Sequence, residues 1–350
     1  MMRIEELDTP ALVVDLDKLE ANIAKLQSYL SSHGIANRPH IKTHKIPEIA
    51  HMQIRAGAIG ITCQKLGEAE VMADAGIRDI FIPYNLLGEQ KLARLAKLMQ
   101  RATVSVTADS EVTARGLSEA AQMAHRQLTV LVEFDAGAHR CGVQSPQEAA
   151  ALAKRIAGLP GLTFGGLMCY PNTPRLDPFV RETRALLEAE GLGVTRVSGG
   201  GTACMWQAHT HRELTEHRAG MYAYGDRATV QAGAMRLEEC ALTVIATVVS
   251  RPTADRGILD CGSKALSSDL LGLQGHGLIL EYPEAVIYGL SEEHGHVDFS
   301  ACPKQPAIGE RVTVLPNHCC PVSNLFDRVV GARNGNVELI WRVAARGAVQ

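Results

Sequence analysis

Short apolar runs alternate with longer segments of helical periodicity between about residue 36 and residue 225. The apolar runs are rich in β-branched residues and predict strands. Eight such strands with helices between them predict a closed (β/α)8 barrel of the TIM type, and an open doubly wound sheet is the alternative. The predicted strands cover residues 38–42, 58–63, 79–84, 103–107, 129–135, 163–170, 196–199 and 214–224.

The helices of this region are predicted by their boundary signals. A serine precedes the helix at 111–123, and a Ser-Pro pair opens the helix at 147–157. Such residues satisfy the first backbone N–H groups of a helix or fit its first turn. Gly76 ends a helix over 66–75, and a first helix is predicted over 16–32.

The pattern changes after residue 234, where strands follow one another without helices. They are predicted at 241–250, 257–260, 284–289, 296–299, 311–315 and 337–343. This is typical of an antiparallel β-domain, to which an apolar run at 11–15 could add a strand. We therefore predict two domains, a barrel over 16–234 and a β-domain formed by 1–15 with 235–350.

Composition narrows the choice of partner. The chain has 350 residues, is 46% hydrophobic and carries a net charge of −3. It has no basic run for nucleic acid or an acidic membrane, no signal peptide and no apolar stretch long enough to cross a bilayer. Nine cysteines without a framework spacing indicate reduced thiols. The expected protein is cytoplasmic, and its expected partner is a small molecule.

A lysine near the end of the first predicted strand is a candidate for covalent chemistry. Strand alternation would place His40, Lys42 and His44 on one face, with Lys42 near the carboxyl end of the strand. Active sites of these barrels lie at that end, and a desolvated lysine there has a lowered pKa suited to a Schiff base. A solvated loop lysine is the alternative, and Lys45 is the local rival.

Two further patterns could bind ligands. Residues 198–202 form a glycine-rich turn after a strand, whose N–H groups could cradle a phosphate, although such turns are also common loops. His318 and Cys320 stand two residues apart on a segment predicted to be extended, and imidazole with thiolate favours zinc. The alternative is one surface histidine and two core thiols.

The order of these motifs resembles that of the D-threonine aldolase and D-serine dehydratase family, relatives of alanine racemase among the fold type III pyridoxal-phosphate (PLP) enzymes. The resemblance runs from residues 8–11 through 39–45 and 67–70 to the metal motif at 316–321. It implies that Lys42 carries PLP and that His318 and Cys320 bind a divalent metal, zinc by preference, with manganese or magnesium open.

The resemblance also assigns the other cofactor contacts. Ser198, Gly200, Gly201 and Thr202 match the segment that binds the PLP phosphate, and Tyr222 matches a second phosphate-side segment. Arg140 would approach the phenolic oxygen, and Tyr170 would lie beside the ring with Gln64 as a weaker candidate. Arg218 stands where alanine racemase sends an arginine to the pyridine nitrogen, and a surface strand arginine is the alternative.

The same family comparison bears on the reaction. The family's D-threonine aldolases carry aspartate where this chain has Cys320, and they have a histidine shortly after the tyrosine, whereas residues 171–176 contain none. Both departures favour β-elimination, which gives a 2-oxo acid and ammonia, over retro-aldol cleavage to glycine and an aldehyde. Against this, residues 63–65 look more like the hydroxyaspartate aldolase and dehydratase branch.

Three further expectations follow from the resemblance. An amino-acid racemase is a lower alternative, because no counterpart of the second-domain tyrosine of alanine racemase is found. A non-catalytic PLP-binding protein is another. Family members also form homodimers that place the β-domain of one chain over the barrel mouth of the other, so a homodimer is expected.

Overall fold

The computed structural model describes residues 2–350 and divides into two compact units. We call them the barrel unit and the sheet unit. The barrel unit comprises Lys25–Lys42, Ile49–Gly220 and Ala348–Gln350, and the sheet unit comprises residues up to Ala24, Thr43–Glu48 and Met221–Gly347.

The described residues form strands in two sheets. In chain order they are β1 (Ala11–Asp15), β2 (Ala36–Asn37), β3 (Ile61–Thr62), β4 (Asp79–Ile82), β5 (Thr103–Ala108), β6 (Leu128–Glu133), β7 (Leu162–Met168), β8 (Arg196–Gly200), β9 (Glu216–Arg218), β10 (Leu242–Ser250), β11 (Arg256–Leu259), β12 (Leu278–Ile279), β13 (Val286–Leu290), β14 (Gly295–Asp298), β15 (Arg311–Leu315), β16 (Arg328–Arg333) and β17 (Asn336–Arg342).

The α-helices are α1 (Leu16–Ser32), α2 (Pro47–Arg55), α3 (Leu66–Asp74), α4 (Glu89–Leu98), α5 (Glu111–Ala124), α6 (Pro146–Gly158), α7 (Leu176–Glu188), α8 (Arg227–Gln231), α9 (Ser263–Leu266) and α10 (Cys319–Leu325). Short 3-10 helices lie at Ile4–Glu6, Ile41–Thr43, Met205–Thr210, Met221–Ala223 and Leu237–Glu239.

The barrel unit contains a parallel eight-stranded sheet in the order β2-β9-β8-β7-β6-β5-β4-β3. A parallel bridge between His40 and Thr62 joins the chain after β2 to β3, at the two ends of that order. The sheet is therefore closed, which confirms the predicted (β/α)8 barrel and removes the open-sheet alternative. Inside it, Phe81, Leu131 and Met168 pack together without exposure to solvent, because a barrel of eight strands is filled by side chains.

A buried carboxylate lies among the strands of the barrel. Glu216 on β9 accepts from Arg38 Nε at 3.1 Å, from Arg196 Nη2 at 2.8 Å and from the Ser198 hydroxyl at 2.5 Å. Burial alone would raise the pKa of Glu216, but the two guanidinium groups hold it below its usual range. The carboxylate is therefore charged and its charge is compensated within the barrel.

The sequence-based helix starts are confirmed where a cap was identified. Ser110 Oγ accepts from the Thr113 N–H at 3.3 Å, and Ser145 Oγ accepts from the Glu148 N–H at 3.2 Å. These side chains replace intrahelical bonds that the first turn of a helix lacks. Gly76, after α3, has a φ of +91°, a conformation that glycine adopts without strain.

The sheet unit contains a nine-stranded sheet with the path β13-β14-β11-β10-β1-β16-β17, and β15 pairs with both β10 and β12. The pairing is antiparallel except between β1 and β16. The apolar run at 11–15 forms β1 between β10 and β16. Strands β12 and β16 were not predicted from the sequence; β12 is only two residues long.

Two local predictions are wrong. Residues 38–42 do not continue as a strand, because Ile41–Thr43 is a 3-10 helix, so His40, Lys42 and His44 do not alternate on one face. Pro39 has no N–H for a ladder. The backbone of residues 38–40 still bonds to the neighbouring strands, but the pairing ends at His40. The segment with His318 and Cys320 is not extended, because α10 begins at Cys319. The Cys319 N–H donates to the buried Asp226 carboxylate at 2.9 Å, which stabilises that helix start.

None of the helices over residues 2–350 combines the length and the apolar character that crossing a membrane requires.

The buried charge at position 216 should dominate the stability of the barrel unit. Glu216→Gln keeps the shape of the side chain but leaves Arg196 without a charged partner, and we expect a loss of about 3–5 kcal/mol in the free energy of unfolding. Urea denaturation measures it. Glu111→Gln, which breaks exposed ion pairs with Arg115 and Arg155, is the control and should change little. Equal effects of the two variants would contradict the assignment.

Candidate active site

The site residues of the barrel unit follow the carboxyl ends of five strands. Lys42 comes after β2, Gln64 after β3, Arg140 after β6, Tyr170 after β7 and Gly201 after β8. The carboxyl ends of parallel barrel strands lie on one face, where barrel enzymes have their active sites. The closed barrel therefore brings together residues that are far apart in the chain.

Lys42 lies in the 3-10 helix Ile41–Thr43 and is half-buried. Its Nζ lies 6.0 Å from the centre of the Tyr170 ring. The backbone N–H of Lys42 donates to His40 Nδ1 at 3.4 Å. Lys45, the rival, is instead buried in the sheet unit, and its Nζ donates to Asn324 Oδ1 at 2.9 Å.

His40 is a neutral imidazole between Lys42 and Gln64. Its Nε2 lies 3.0 Å from Gln64 Oε1, which can only accept, so Nε2 carries the proton and Nδ1 accepts. Burial, and next the positive charge of Lys42, lower the pKa of His40 well below its usual value. Gln64 therefore contacts the lysine segment through His40, a residue that sequence reasoning did not assign a role.

Arg140 and Lys42 both approach Tyr170. The Arg140 guanidinium lies 4.8 Å from the centre of the Tyr170 ring, and its Nη2 lies 3.5 Å from Glu133 Oε1. Burial raises the pKa of Glu133, and the charge of Arg140 opposes that rise. Two cationic side chains thus lie within 6.0 Å of the centre of one aromatic ring, which concentrates positive charge in this part of the barrel unit.

The glycine-rich turn lies beside the same ring. Gly201 has a φ of +122°, and a Cβ there would lie 3.6 Å from Tyr170 Cε2 and 3.2 Å from Cys204 Sγ. A Cβ on Gly200 would lie 2.6 Å from the backbone oxygen of Arg218. Both positions therefore need glycine, one for conformation and one for the close approach of β9. The Thr202 hydroxyl accepts from the Gly220 N–H at 3.3 Å.

A buried histidine supports this turn and was missed from the sequence. His217 Nε2 lies 3.2 Å from the Gly201 carbonyl, which requires a proton on Nε2, and Asn172 Nδ2 donates to Nδ1 at 3.3 Å. Burial lowers the pKa of His217 to about 3, so the ring is neutral. No spacing in the sequence indicates this pair, because residues 172 and 217 come from different loops and strands.

Ser198 and Arg218 bind each other. Arg218 Nη1 donates to the Ser198 hydroxyl, and Nη2 donates to the Cys169 carbonyl at 2.9 Å. Arg218 is buried, and burial lowers its pKa to about 10. A surface arginine is therefore excluded, whereas the contact with a pyridine nitrogen stays a prediction. Tyr222 belongs to the sheet unit, where it is buried in the 3-10 helix Met221–Ala223.

The sheet unit places His318 immediately before α10 and Cys320 in the first turn of that helix. Burial disfavours a charged imidazole, but Cys320 and then Asp269 raise the pKa of His318 to about 9. A hydrogen bond with Cys319, and then His318, hold the pKa of the Cys320 thiol well below its usual range. Thr43 Oγ1 lies 3.2 Å from Cys320 Sγ. Sequence reasoning missed Thr43, Asp269 and the helix-capping Asp226.

The side chains of the barrel unit fit PLP and those of the sheet unit fit a divalent metal, the two groups that the sequence suggested. The barrel unit offers an amine at Lys42, an aromatic face at Tyr170, a cation at Arg140 and a glycine turn at 200–201, which matches a planar phosphorylated aldehyde. The sheet unit offers an imidazole and a thiol of lowered pKa, a pair suited to zinc. Two protein ligands would leave positions for water or substrate.

A closed barrel with a lysine and a glycine-rich turn at its carboxyl face, carried in one chain with a mostly antiparallel sheet, defines the alanine racemase-like class of PLP enzymes. Two family models match the chain. The alanine racemase N-terminal domain covers residues 14–228, and the putative serine dehydratase domain covers residues 241–332.

Relatives match over nearly the whole chain. A D-threonine aldolase of Arthrobacter sp. is 37% identical over 98% of this chain and 94% of its own length. The crystal structure of a D-threonine aldolase from Filomicrobium marinum has a TM-score of 0.93 and 33% identity, and covers 100% of this chain and 98% of its own. The chain therefore belongs to the D-threonine aldolase and D-serine dehydratase family, and it is a PLP-dependent lyase.

A dehydratase of the same family is also similar. The D-threo-3-hydroxyaspartate dehydratase of Delftia sp. is 31% identical over 91% of this chain and 93% of its own length. Its structure has a TM-score of 0.85 and covers 98% of this chain and 99% of its own. Structures also exist of its variants with alanine in place of a histidine and of a cysteine two positions later, the latter in a metal-free form.

An experiment can decide whether Lys42 or Lys45 carries the cofactor. Lys42→Ala should abolish the visible absorbance of lysine-linked PLP, because the Lys42 amine lies 6.0 Å from the centre of the Tyr170 ring at the carboxyl face of the barrel. Lys45→Ala should retain that absorbance, because its amine is bound to Asn324. Absorbance spectra of both variants after PLP addition make the comparison, and the reverse result would transfer the cofactor to Lys45.

Proposed function

We propose that the chain is a metal-assisted lyase of D-configured β-hydroxy amino acids that catalyses β-elimination, as a D-serine or D-threonine dehydratase does. The observation that carries this proposal is the pair of metal-binding side chains at the start of α10, with His318 Nδ1 2.8 Å from Asp269 and Cys320 Sγ 3.2 Å from the Thr43 hydroxyl. The names of the relatives support the substrate class, since they are aldolases and a dehydratase of such amino acids.

The barrel unit would hold the cofactor and move the α-proton. PLP, bound through Lys42, would supply an electron sink for charge that develops at the α-carbon. The Lys42 amine, once released from the cofactor, would take the α-proton as the general base. Arg140 would stand against the phenolic oxygen, and Tyr170 would cover one edge of the ring and exclude water from it.

The phosphate would be bound by backbone and hydroxyl groups. Thr202 would present its N–H and hydroxyl groups at the end of β8, beside the bare backbone of Gly200 and Gly201. The Gly201 N–H donates to the Arg218 carbonyl at 3.1 Å and the buried Ser198 hydroxyl donates to Glu216, so these two groups are not open to a phosphate. The His217 bond to the Gly201 carbonyl supports this role, because it holds the peptide group of the turn in one orientation. Gln64 would act through His40 beside Lys42.

The sheet unit would hold the metal. His318 Nε2 and Cys320 Sγ would be its ligands, and a divalent ion, zinc by preference, would act there as a Lewis acid toward the β-hydroxyl group. The low pKa of the Cys320 thiol supports this role, because the thiolate is the form that binds metal. Loss of the β-hydroxyl and the α-proton as water would leave an enamine, and its hydrolysis by one water molecule would give a 2-oxo acid and ammonia as final products.

The surroundings of Tyr170 support elimination over retro-aldol cleavage, which requires a group that deprotonates the β-hydroxyl. Asn172 is buried with its amide on His217, and the Thr173 hydroxyl donates to the Ala136 carbonyl at 2.6 Å. These side chains are engaged with the protein and are poor bases. Retro-aldol cleavage is the second candidate, favoured by the 37% identity to a D-threonine aldolase.

The proposal also includes a cellular location and an oligomeric state. We place the enzyme in the cytoplasm, because the nine cysteines of the chain are free thiols in the structure. We also expect a homodimer, by analogy with the family. Sedimentation equilibrium over a range of protein concentrations tests that expectation, and a monomer at every concentration would reject it.

The reaction can be assigned from its products. We expect the protein loaded with PLP and Zn²⁺ to convert D-serine or D-threonine into a 2-oxo acid and ammonia in equal amounts, measured together with glycine and aldehyde. Cys320→Ala should lose this activity and keep PLP absorbance. Glycine with aldehyde would instead establish the aldolase. Exchange of the α-proton with inversion would indicate a racemase, and no turnover of D-serine, D-threonine or D-threo-3-hydroxyaspartate would reject the proposed substrate class.

A further inference from the structure

One carboxylate outside the proposed ligand pair contacts a member of that pair. Asp269 Oδ2 lies 2.8 Å from His318 Nδ1. The aspartate follows α9 in the chain, and its side chain is 48% exposed against 24% for His318. Nothing in the spacing of the sequence connects the two residues, which are 49 positions apart.

The contact determines which nitrogen of His318 remains available. An ionised carboxylate can only accept, so Nδ1 of His318 carries the proton that the bond requires. The lone pair of the neutral ring is then on Nε2, the nitrogen on the far side of the ring from Asp269. Asp269 thus selects the tautomer that a metal ligand needs and restricts rotation of the ring.

Asp269 is itself held in place, which distinguishes the contact from a mobile surface ion pair. Asn317, the buried residue before His318, donates from Nδ2 to the Asp269 carbonyl at 3.1 Å and to the Gly275 carbonyl at 2.8 Å. Arg227 Nη1 donates to Asn317 Oδ1 at 2.8 Å. The segment that carries Asp269 is therefore anchored to the residue next to His318.

Asp269 does not complete a three-ligand metal site. Among residues 2–350, no three His, Cys, Asp or Glu side chains converge closely enough to hold one ion. Asp269 instead bonds to Nδ1 of His318, on the side of the imidazole ring opposite Nε2. Such outer carboxylates orient a ligating histidine and make it more basic, and their loss commonly costs 10–100-fold in metal affinity.

We propose that Asp269 is the positioning residue of His318, orienting its imidazole so that Nε2 binds the divalent metal beside Cys320. This inference rests on the metal site proposed above. Asp269 would contribute no bond to the metal and would act entirely through His318.

The test is metal affinity in the full chain loaded with PLP. The dissociation constant for Zn²⁺ is measured by competition with a chelator, for the wild type and three variants. Asp269→Ala should raise it roughly 10–100-fold, and Asp269→Asn should raise it less, because an amide oxygen still accepts from Nδ1. Asp255→Ala, which removes an exposed aspartate from another loop of the sheet unit, should leave it unchanged.

A second readout separates positioning from ligation. With Co²⁺ as the probe, Asp269→Ala should keep the thiolate-to-cobalt absorption band of Cys320 at saturating metal, and Cys320→Ala should lose it. Thermal unfolding of metal-free Asp269→Ala should match the wild type, which excludes a general loss of fold. An altered thiolate band at saturation would make Asp269 a ligand and overturn the proposal.

The outcomes distinguish this inference from the proposal beneath it. If the wild type binds one Zn²⁺ per chain and Asp269→Ala binds it within about twofold of the wild-type affinity, the positioning role is wrong and the metal site stands. If the wild type itself binds no stoichiometric Zn²⁺, the metal site is wrong and the inference falls with it.

Discussion

The pairing of the buried Glu216 carboxylate with two arginines is the interaction on which the proposed cofactor site of the barrel unit depends. The carboxylate accepts from Arg38 before the lysine segment and from Arg196 and Ser198 on β8. A carboxylate taken out of water costs several kcal/mol unless it is paired and hydrogen-bonded. Arg196 and Ser198 lie on β8, and Arg38 directly follows β2; both of these strands pair with β9. The requirement to satisfy one charge therefore aligns the strand ends that precede Lys42 and the glycine turn.

Two buried, neutral histidines also connect polar groups near the proposed cofactor site. His217 and His40 are both buried beside positive charge, which keeps them unprotonated and gives each ring one donor and one acceptor. One ring holds the Gly201 carbonyl, and the other links Gln64 to the backbone of Lys42. A neutral imidazole suits this task, because a charged ring would need a counter-ion where the site already has Arg140 and Lys42.

The sheet unit uses polar contacts in a different way. His318 and Cys320 each have a partner that is not a proposed metal ligand, Asp269 for the imidazole and Thr43 for the sulfur. The start of α10 is stabilised by the Asp226 carboxylate. Metal sites are commonly built this way, because ligands that are oriented beforehand lose less conformational freedom when the ion binds.

The sequence by itself determined the number and order of the barrel strands, the capped helices and the change to antiparallel strands after residue 234. Hydrophobic periodicity and capping are local, so one chain read in order contains them. The motif order also determined the family and its PLP-dependent lyase chemistry, whereas the individual site roles remain predictions.

Only the tertiary structure decided the conformation of the motifs and their partners. It made Ile41–Thr43 helical, started α10 at Cys319, and paired Asn172 with His217 and Asp269 with His318. The physical reason is that a buried polar atom must find a partner wherever the fold places one. For these groups the partner stands 45 or 49 residues away, at a distance that no periodicity encodes.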